Sequence, residues 1–268
     1  MVPQYFVDFL RYLNMRIFFL FLFFPIAVFS QSLQNHEVEQ LIKNKQFNKA
    51  KSVLQSHLEV KPNDLTAIEL LGDVYGQEKK WDEAIEAYEK LVQTKPKNAN
   101  YQYKYGGALG MKAKSVSKFR ALGLIGDVEE AFLKAASLDP THIDTRWALV
   151  HYYLHVPGIV GGSYTKAMRY AKELYALSPV DGYLAIGHVH EEKKEFAQAE
   201  MNYKQAVAVG GSKTCYTHLA DLYVNMKHYN KAVRVLEEAY EKLKNRDILH
   251  KIQLLTEEHN LTSSLINR

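Results

Sequence analysis

Two histidines four residues apart are the first feature of the sequence that could do chemistry. His151 and His155 lie one helical turn apart, so both imidazoles face the same side of a helix. This spacing is typical of zinc ligands, and His188 with Glu192 could complete a set of four. Tyr152 follows His151 where a zinc peptidase has its glutamate base. We therefore predict no bound metal or cofactor, and keep a metal or small-ligand site at these histidines as the alternative.

The rest of the sequence has no pattern of catalytic residues. Cys215 is the only cysteine and has no base placed beside it, so we interpret it as an inert small side chain. The glycine-rich segment 156–163 lacks the Lys-Ser/Thr pair of a phosphate-binding loop. It predicts a structural turn, in which Ser163 caps the following helix. There is no GxSxG motif and no nucleotide-binding fingerprint, so we predict that the protein is not an enzyme.

The composition indicates an ordinary folded protein with no nucleic-acid partner. Hydrophobic residues make up 47% of the 268 residues and charged residues 24%. The formal net charge is only +4, whereas proteins that bind nucleic acids carry a dense basic face. We therefore expect no nucleic-acid partner.

An apolar run at residues 17–29 predicts export. Arg16 precedes the run, and small residues permit cleavage before Gln31, so residues 1–30 are interpreted as a signal peptide. Met15 is the expected true start. The run is shorter than the roughly 20 residues of a membrane-spanning helix. The alternative is an uncleaved anchor through residues 17–29, which would make the protein a membrane-anchored assembly factor and give it its membrane contact.

The remaining sequence repeats with a period of 34 residues. With Leu65 as position 1, Gly72 and Ala84 occupy positions 8 and 20, Tyr88 position 24 and Pro96 position 32. Small residues are expected where the two helices of a repeat touch, and proline ends the second helix. The same pattern predicts six repeats, which begin near residues 31, 65, 99, 143, 180 and 213.

Two insertions interrupt this period. The first, near 111–127, is expected to lengthen a helix whose apolar side packs on the repeats and whose lysines face water. The alternative is a basic amphipathic surface that docks a partner or a membrane. The second insertion is the turn at 156–163. Repeats therefore fill residues 31–246, and residues 247–268 are expected to form a polar helix that caps the last repeat.

The repeat resembles the tetratricopeptide repeat, including Trp81-Asp82-Glu83-Ala84 at the start of a second helix. This resemblance implies an all-α, right-handed superhelical solenoid of antiparallel helix pairs. The segment from Arg146 to Ser163 and the signal ending Phe29-Ser30-Gln31 are similar to exported Bacteroidetes-type tetratricopeptide proteins. That similarity implies a periplasmic or cell-envelope location.

The resemblance also implies a scaffold that holds a partner protein or peptide in a concave groove lined by the first helix of each repeat. Positions 2, 5, 9, 12 and 13 should face this groove, and the predicted binding residues come from positions 5, 9 and 13. Trp147 is expected either to face it as a binding anchor or to pack against the next repeat. The predicted binding residues are Tyr103, Trp147, His151, His155, Leu184, His188, Glu192, Asp221 and Asn225.

Overall fold

The computed structural model describes residues 36–265, which form two compact units divided after Lys95. The predicted signal peptide, residues 1–30, lies outside the described residues. In the first unit, α1 covers residues 36–43 and is followed by α2 (Phe47–Val60), α3 (Leu65–Gln77) and α4 (Trp81–Thr94). The second unit begins with α5 (Ala99–Ser115), α6 (Lys118–Leu138), α7 (Ile143–His155) and α8 (Tyr164–Leu177). It continues with α9 (Pro179–Glu192), α10 (Phe196–Gly210), α11 (Lys213–Asn225), α12 (Tyr229–Leu243) and α13 (Arg246–His259).

The described residues are helical, with no strand between residues 36 and 265. Within each unit successive helices pack on one another, from α2 to α4 in the first and from α5 to α13 in the second, and the closest pairs include α3 with α4, α5 with α6, and α9 with α10. The prediction of an all-α fold built from consecutive helix pairs is therefore confirmed. No helix within 36–265 is both long and apolar enough to span a membrane.

From α3 onward, the first helix of each pair begins at a side-chain cap. Asp64 accepts hydrogen bonds from the amides of Thr66 and Ala67, which α3 itself cannot satisfy. Similar caps begin α5, α7, α9, α11 and α13, at Asn98, His142, Ser178, Ser212 and Asn245. Ser163 caps α8 through the amide of Lys166, as the sequence predicted.

A shared turn joins the two helices in the regular repeats. Lys45, Lys79, Lys194 and Lys227 each adopt a left-handed backbone conformation, with φ between 57° and 61°. Each lies just before α2, α4, α10 or α12. The recurrence of one uncommon conformation at equivalent positions shows that these turns are copies of one another.

Glycine at position 8 allows the two helices of a repeat to approach closely. A methyl group on Gly72 would lie 2.7 Å from the ring of Tyr88, and one on Gly187 would lie 2.5 Å from the ring of Tyr203. From the sequence, the small residues at positions 8 and 20 were predicted to lie where the two helices touch. In the structure the aromatic ring at position 24 occupies the space beside the glycine.

In the second unit the first helices form a layer of their own. α7 contacts both α5 and α9, and α9 contacts α11. Within residues 96–265 the second helices α6, α8, α10 and α12 make no contacts of similar extent with one another. Because the first helices contact one another and the second helices do not to a similar extent, the first helices form the inner layer. The side chains of α5, α7 and α9 that point away from the second helices therefore share one face.

The first insertion lengthens two helices. α5 has 17 residues and α6 has 21, joined by Val116 and Ser117. Phe119 is 87% exposed and Leu122 is 50% exposed, so the expectation that this apolar side packs on the repeats is wrong for these two residues. Both residues lie in the first two turns of α6, whereas the first residue of α6 that is buried is Val128, further along the helix.

The second insertion forms a short 3₁₀ turn, Gly158–Val160, before α8. Gly161 has φ of 112°, a conformation open to glycine. A methyl group on Gly162 would lie 1.7 Å from the carbonyl oxygen of Val156, so a side chain there is excluded. The amide of Ser163 donates to the carbonyl of Tyr153 over 2.9 Å, which returns the chain to α7.

Candidate functional site on the inner helices of residues 96–265

Three predicted site residues converge on the inner face of α7 and α9. His151, His155 and His188 place one imidazole nitrogen each within 4.8 Å of the others. The rings of His151 and His155 stack with centroids 5.9 Å apart, because the residues are one turn apart on α7. His188 reaches them from α9, with its ring centroid 5.1 Å from that of His151. We call these three residues the histidine cluster.

The surroundings of the cluster favour the neutral form of two of its rings, His151 and His188. Water reaches the exposed edge of His151, yet protein atoms surround much of the ring. This desolvation, together with the nearby His188 and His155, lowers the pKa of His151 to about 4. Burial and the proximity of His155 and His218 lower the pKa of His188 to about 4 as well. At neutral pH these two imidazoles are therefore uncharged and keep a free lone pair.

One atom of the cluster lacks a hydrogen-bond partner. Nε2 of His188 is inaccessible to solvent and makes no hydrogen bond with the described residues. An unsatisfied buried polar atom costs about 1–3 kcal/mol. The carboxylate of Glu192, which the sequence analysis grouped with the histidines, is not in the cluster of ligand atoms. Glu192 lies one turn beyond His188 and is exposed.

A pocket of about 430 Å³ opens beside the cluster. α5 and α6 contribute apolar side chains to its wall, including Met111, Val128 and Phe132. His151 and His155 form part of the opposite wall on α7. The volume falls in the range of about 300–1,000 Å³ that is typical of ligand pockets. Its lining is mostly apolar with a few polar groups, among them Lys114, and this composition is typical of binding sites.

Glycines in α5 help to keep this pocket open. Gly106 has a packing reason, since a methyl group there would lie 3.0 Å from Phe132. Gly107 lines the pocket, and a methyl group on it would meet no atom within 4 Å. A glycine inside a helix costs about 1 kcal/mol relative to alanine. Gly107 therefore weakens the helix, although no close packing at this position requires a glycine.

Tyr103 and Trp147 lie at the two ends of this face. Tyr103 lines the pocket, and its ring packs against those of Phe132 and His142 at centroid distances of 6.2 and 5.2 Å. Trp147 is half-buried and stacks on His151 at 5.6 Å. Its indole Nε1 donates to Oδ1 of Asp181 on α9 over 2.9 Å. Trp147 thus both packs on the next repeat and borders the histidine cluster.

Leu184 does not belong to the exposed face. Its side chain is only 5% exposed and packs in the core with Tyr203 and Leu219. The assignment of Leu184 to the binding face is therefore corrected. Position 5 of α9 points into the layer between helices, although Tyr103 and Trp147 at the same position of α5 and α7 remain partly accessible.

Asp221 and Asn225 on α11 are already engaged by other side chains. Asp221 accepts from Nζ of Lys251 on α13 over 2.5 Å. Asn225 donates to Glu191 over 2.7 Å, and the hydroxyl of Tyr203 donates to the other oxygen of the same carboxylate. These predicted site residues link consecutive repeats and lie apart from the three converging histidines.

Several residues of the site were not predicted from the sequence. Lys114, Ile125 and Val156 line the pocket but belong to the insertions, whose folding has no counterpart in the 34-residue pattern. Asp181 was not predicted because it accepts a hydrogen bond from Trp147 of the preceding repeat, and that contact depends on how the two repeats pack. His218, whose pKa is lowered mainly by burial, occupies position 6 and was outside the positions considered.

Comparisons with known proteins identify the repeats. Residues 72–112 match a family model described as TPR repeat, and residues 180–209 and 214–241 match one described as tetratricopeptide repeat. The chain therefore carries tetratricopeptide repeats, which confirms this part of the sequence prediction. No catalytic family is among these matches. A search of curated proteins finds no matching sequence.

Solved structures of tetratricopeptide proteins share the fold. A thermophilic protein from Thermus thermophilus has 17% identity, covers 84% of this chain and 97% of its own, and has a TM-score of 0.50. A protein from Parabacteroides merdae has 13% identity, coverages of 85% and 86%, and a TM-score of 0.58. The pilF protein of Pseudomonas aeruginosa has 16% identity, coverages of 83% and 96%, and a TM-score of 0.55. At these identities the similarity shows the fold alone.

Proposed function

We propose that this protein is a scaffold that binds a partner protein or peptide on the inner face of residues 96–265. An apolar or aromatic side chain of the partner enters the pocket between α5, α6 and α7. The observation that carries this proposal is Gly107, which lines the pocket and leaves open space where any other residue would place a side chain. Tetratricopeptide repeats are protein-interaction scaffolds in general, which supports the same conclusion.

The chemistry of the pocket defines the partner's contact residue. Apolar walls from Val128, Phe132 and Ala148 favour an apolar anchor, and burial of a side chain the size of leucine or phenylalanine contributes about 1.5–3 kcal/mol. The imidazoles of His151 and His155 add hydrogen-bonding groups to the wall. Lys114 adds a cation at the wall, so an acidic residue next to the anchor is favoured.

A pair of glycine substitutions tests the pocket. Peptides selected from a random library against the full chain, in the presence of EDTA, are measured for binding by fluorescence anisotropy. Gly107→Leu fills the pocket, while Gly123→Leu adds the same side chain to α6, where a methyl group likewise meets no atom within 4 Å. We expect Gly107→Leu to abolish binding and Gly123→Leu to retain it. Equal affinity in both variants would show that the partner does not enter the pocket.

The alternative occupant is a small apolar molecule, which is a different class of ligand. A screen of small aromatic and aliphatic compounds against the same two variants distinguishes it. Compounds that bind in the absence of any peptide binding, and that Gly107→Leu excludes, would replace the scaffold proposal with a small-ligand function.

We also propose that the protein is exported to the periplasm or cell envelope. The support comes from the apolar run at 17–29, the preceding Arg16 and the small residues before Gln31. The intact mass of the protein isolated from cells tests this. A chain that starts at Gln31 agrees with export and cleavage. A chain that keeps residues 17–29 and sediments with membranes would favour the membrane-anchored alternative.

A further inference from the structure

We propose that His151, His155 and His188 form a binding site for a divalent transition-metal ion, with Zn²⁺ the best-matched ion. The site lies on the inner face of α7 and α9, beside the pocket. This inference goes beyond the scaffold function, since peptide binding in the pocket needs no metal.

The geometry is close to that of a three-histidine zinc site. The three imidazole nitrogens lie within 4.8 Å of one another. Two nitrogen ligands of a tetrahedral zinc are separated by about 3.4 Å, given zinc–nitrogen distances of roughly 2.0–2.1 Å. The exposed rings of His151 and His155 can rotate about their side-chain bonds to close this difference. His188 approaches from a separate helix, so the three ligands surround one point instead of lying along a line.

The buried Nε2 of His188 is the second, independent observation. It has no hydrogen-bond partner and faces no bulk water, although buried polar groups are nearly always satisfied. The ring centroids of His151 and His155 lie 5.1 and 6.2 Å from that of His188. Neither of these two rings makes a hydrogen bond with this nitrogen. A metal ion at the centre of the cluster accepts all three lone pairs and removes the unsatisfied atom.

The donor set indicates which ions bind. Imidazole nitrogens suit zinc, copper and nickel, whereas magnesium and calcium require oxygen ligands. Three protein ligands leave one coordination position for water or for a group of the partner.

A zinc titration with matched histidine variants tests the site. The full chain, without an affinity tag and after removal of metals with EDTA and dialysis, is titrated with Zn²⁺ by calorimetry. Co²⁺ is added to a second sample, because its visible absorption reports tetrahedral coordination. We expect one ion per chain and a rise in melting temperature. His155→Gln and His188→Gln should each weaken binding by more than the roughly 10–100-fold that loss of an outer-shell partner causes.

The control variant is His250→Gln, which removes an exposed histidine on α13 outside the cluster and should leave binding unchanged. If His188→Gln fails to fold, the exposed His155→Gln decides the question alone. The proposal is overturned if the unmodified chain binds no zinc, or if His155→Gln binds it as tightly as His250→Gln does. The peptide experiment above contains EDTA, so its result is independent of this one.

Discussion

The indole of Trp147 and the carboxylate of Asp181 are joined by a hydrogen bond of 2.9 Å, although the residues are 34 positions apart. Donor and acceptor lie in consecutive repeats, and the bond ties α7 to α9. Ser178 holds the other oxygen of Asp181 over 2.6 Å at the start of α9. Ser178 thus orients the carboxylate toward the indole, and Trp147 is held against the histidine cluster.

A double-mutant cycle measures this link. The variants are Trp147→Phe, Asp181→Ala and the two combined, and their free energies of unfolding are obtained from urea denaturation. A hydrogen bond to a charged group contributes about 1.5–3 kcal/mol when buried, so we expect a coupling of about 1–2 kcal/mol for this half-buried pair. Strictly additive losses would contradict the assignment of this bond as the connection between the repeats.

Two glycine-to-alanine substitutions should change the free energy of unfolding in opposite directions. Gly187→Ala places a methyl group 2.5 Å from the fully buried ring of Tyr203, which cannot move aside. Overpacking of this kind costs about 1–3 kcal/mol and outweighs the gain of about 1 kcal/mol in helix propensity. Gly107→Ala meets no atom and should stabilise the protein by about 1 kcal/mol. Urea denaturation followed by circular dichroism measures both, and a loss of stability in Gly107→Ala would show that the pocket tolerates no added carbon.

The repeat architecture could be predicted from sequence because its determinants are local and periodic. Gly72, Tyr88 and Pro96 mark the contact and the end of one helix pair, and the same residue types recur along the chain. The proximity of His151 and His155 follows from helical spacing alone. The approach of His188 follows once α7 and α9 are recognised as equivalent first helices.

The remainder of the site depended on non-periodic sequence. The pocket exists because α5 and α6 are both lengthened, and the direction of their extra turns is set by packing, not by the 34-residue pattern. Leu184 shows a second limit. Its position matches those of Tyr103 and Trp147, yet a small rotation of a helix about its axis is enough to move one residue from the surface into the core.

The hydrogen bond between Asp64 and His57 should make stability depend on pH. Burial alone would raise the pKa of Asp64. The hydrogen bonds from His57 and from the amides of Ala67 and Thr66 outweigh it, and the pKa is lowered. A lowered carboxyl pKa adds stability above the ordinary value of 3.8, and this stability is lost as pH falls through the folded-state value.

Asp64→Asn isolates the charge, because asparagine caps a helix as well as aspartate does. We expect the variant to be less stable than the unmodified chain by no more than about 1 kcal/mol at pH 7 and pH 5. The difference should shrink below about pH 4. Urea denaturation at each pH tests this, and a difference that persists unchanged at pH 3 would assign the loss to the cap instead of the charge.

Glycine in place of Lys79, in the left-handed turn before α4, should increase the stability of the protein. Lys79 has φ of 59°, which costs an L-residue about 1–2 kcal/mol, whereas glycine adopts this conformation freely. The extra freedom of glycine in the unfolded chain opposes the gain by about 0.5–1 kcal/mol. We therefore expect Lys79→Gly to raise the free energy of unfolding by about 0.5–1 kcal/mol. Lys61 has φ of −128°, so Lys61→Gly removes no strain and should lower stability. If both substitutions destabilise the protein equally, the backbone of Lys79 is not strained.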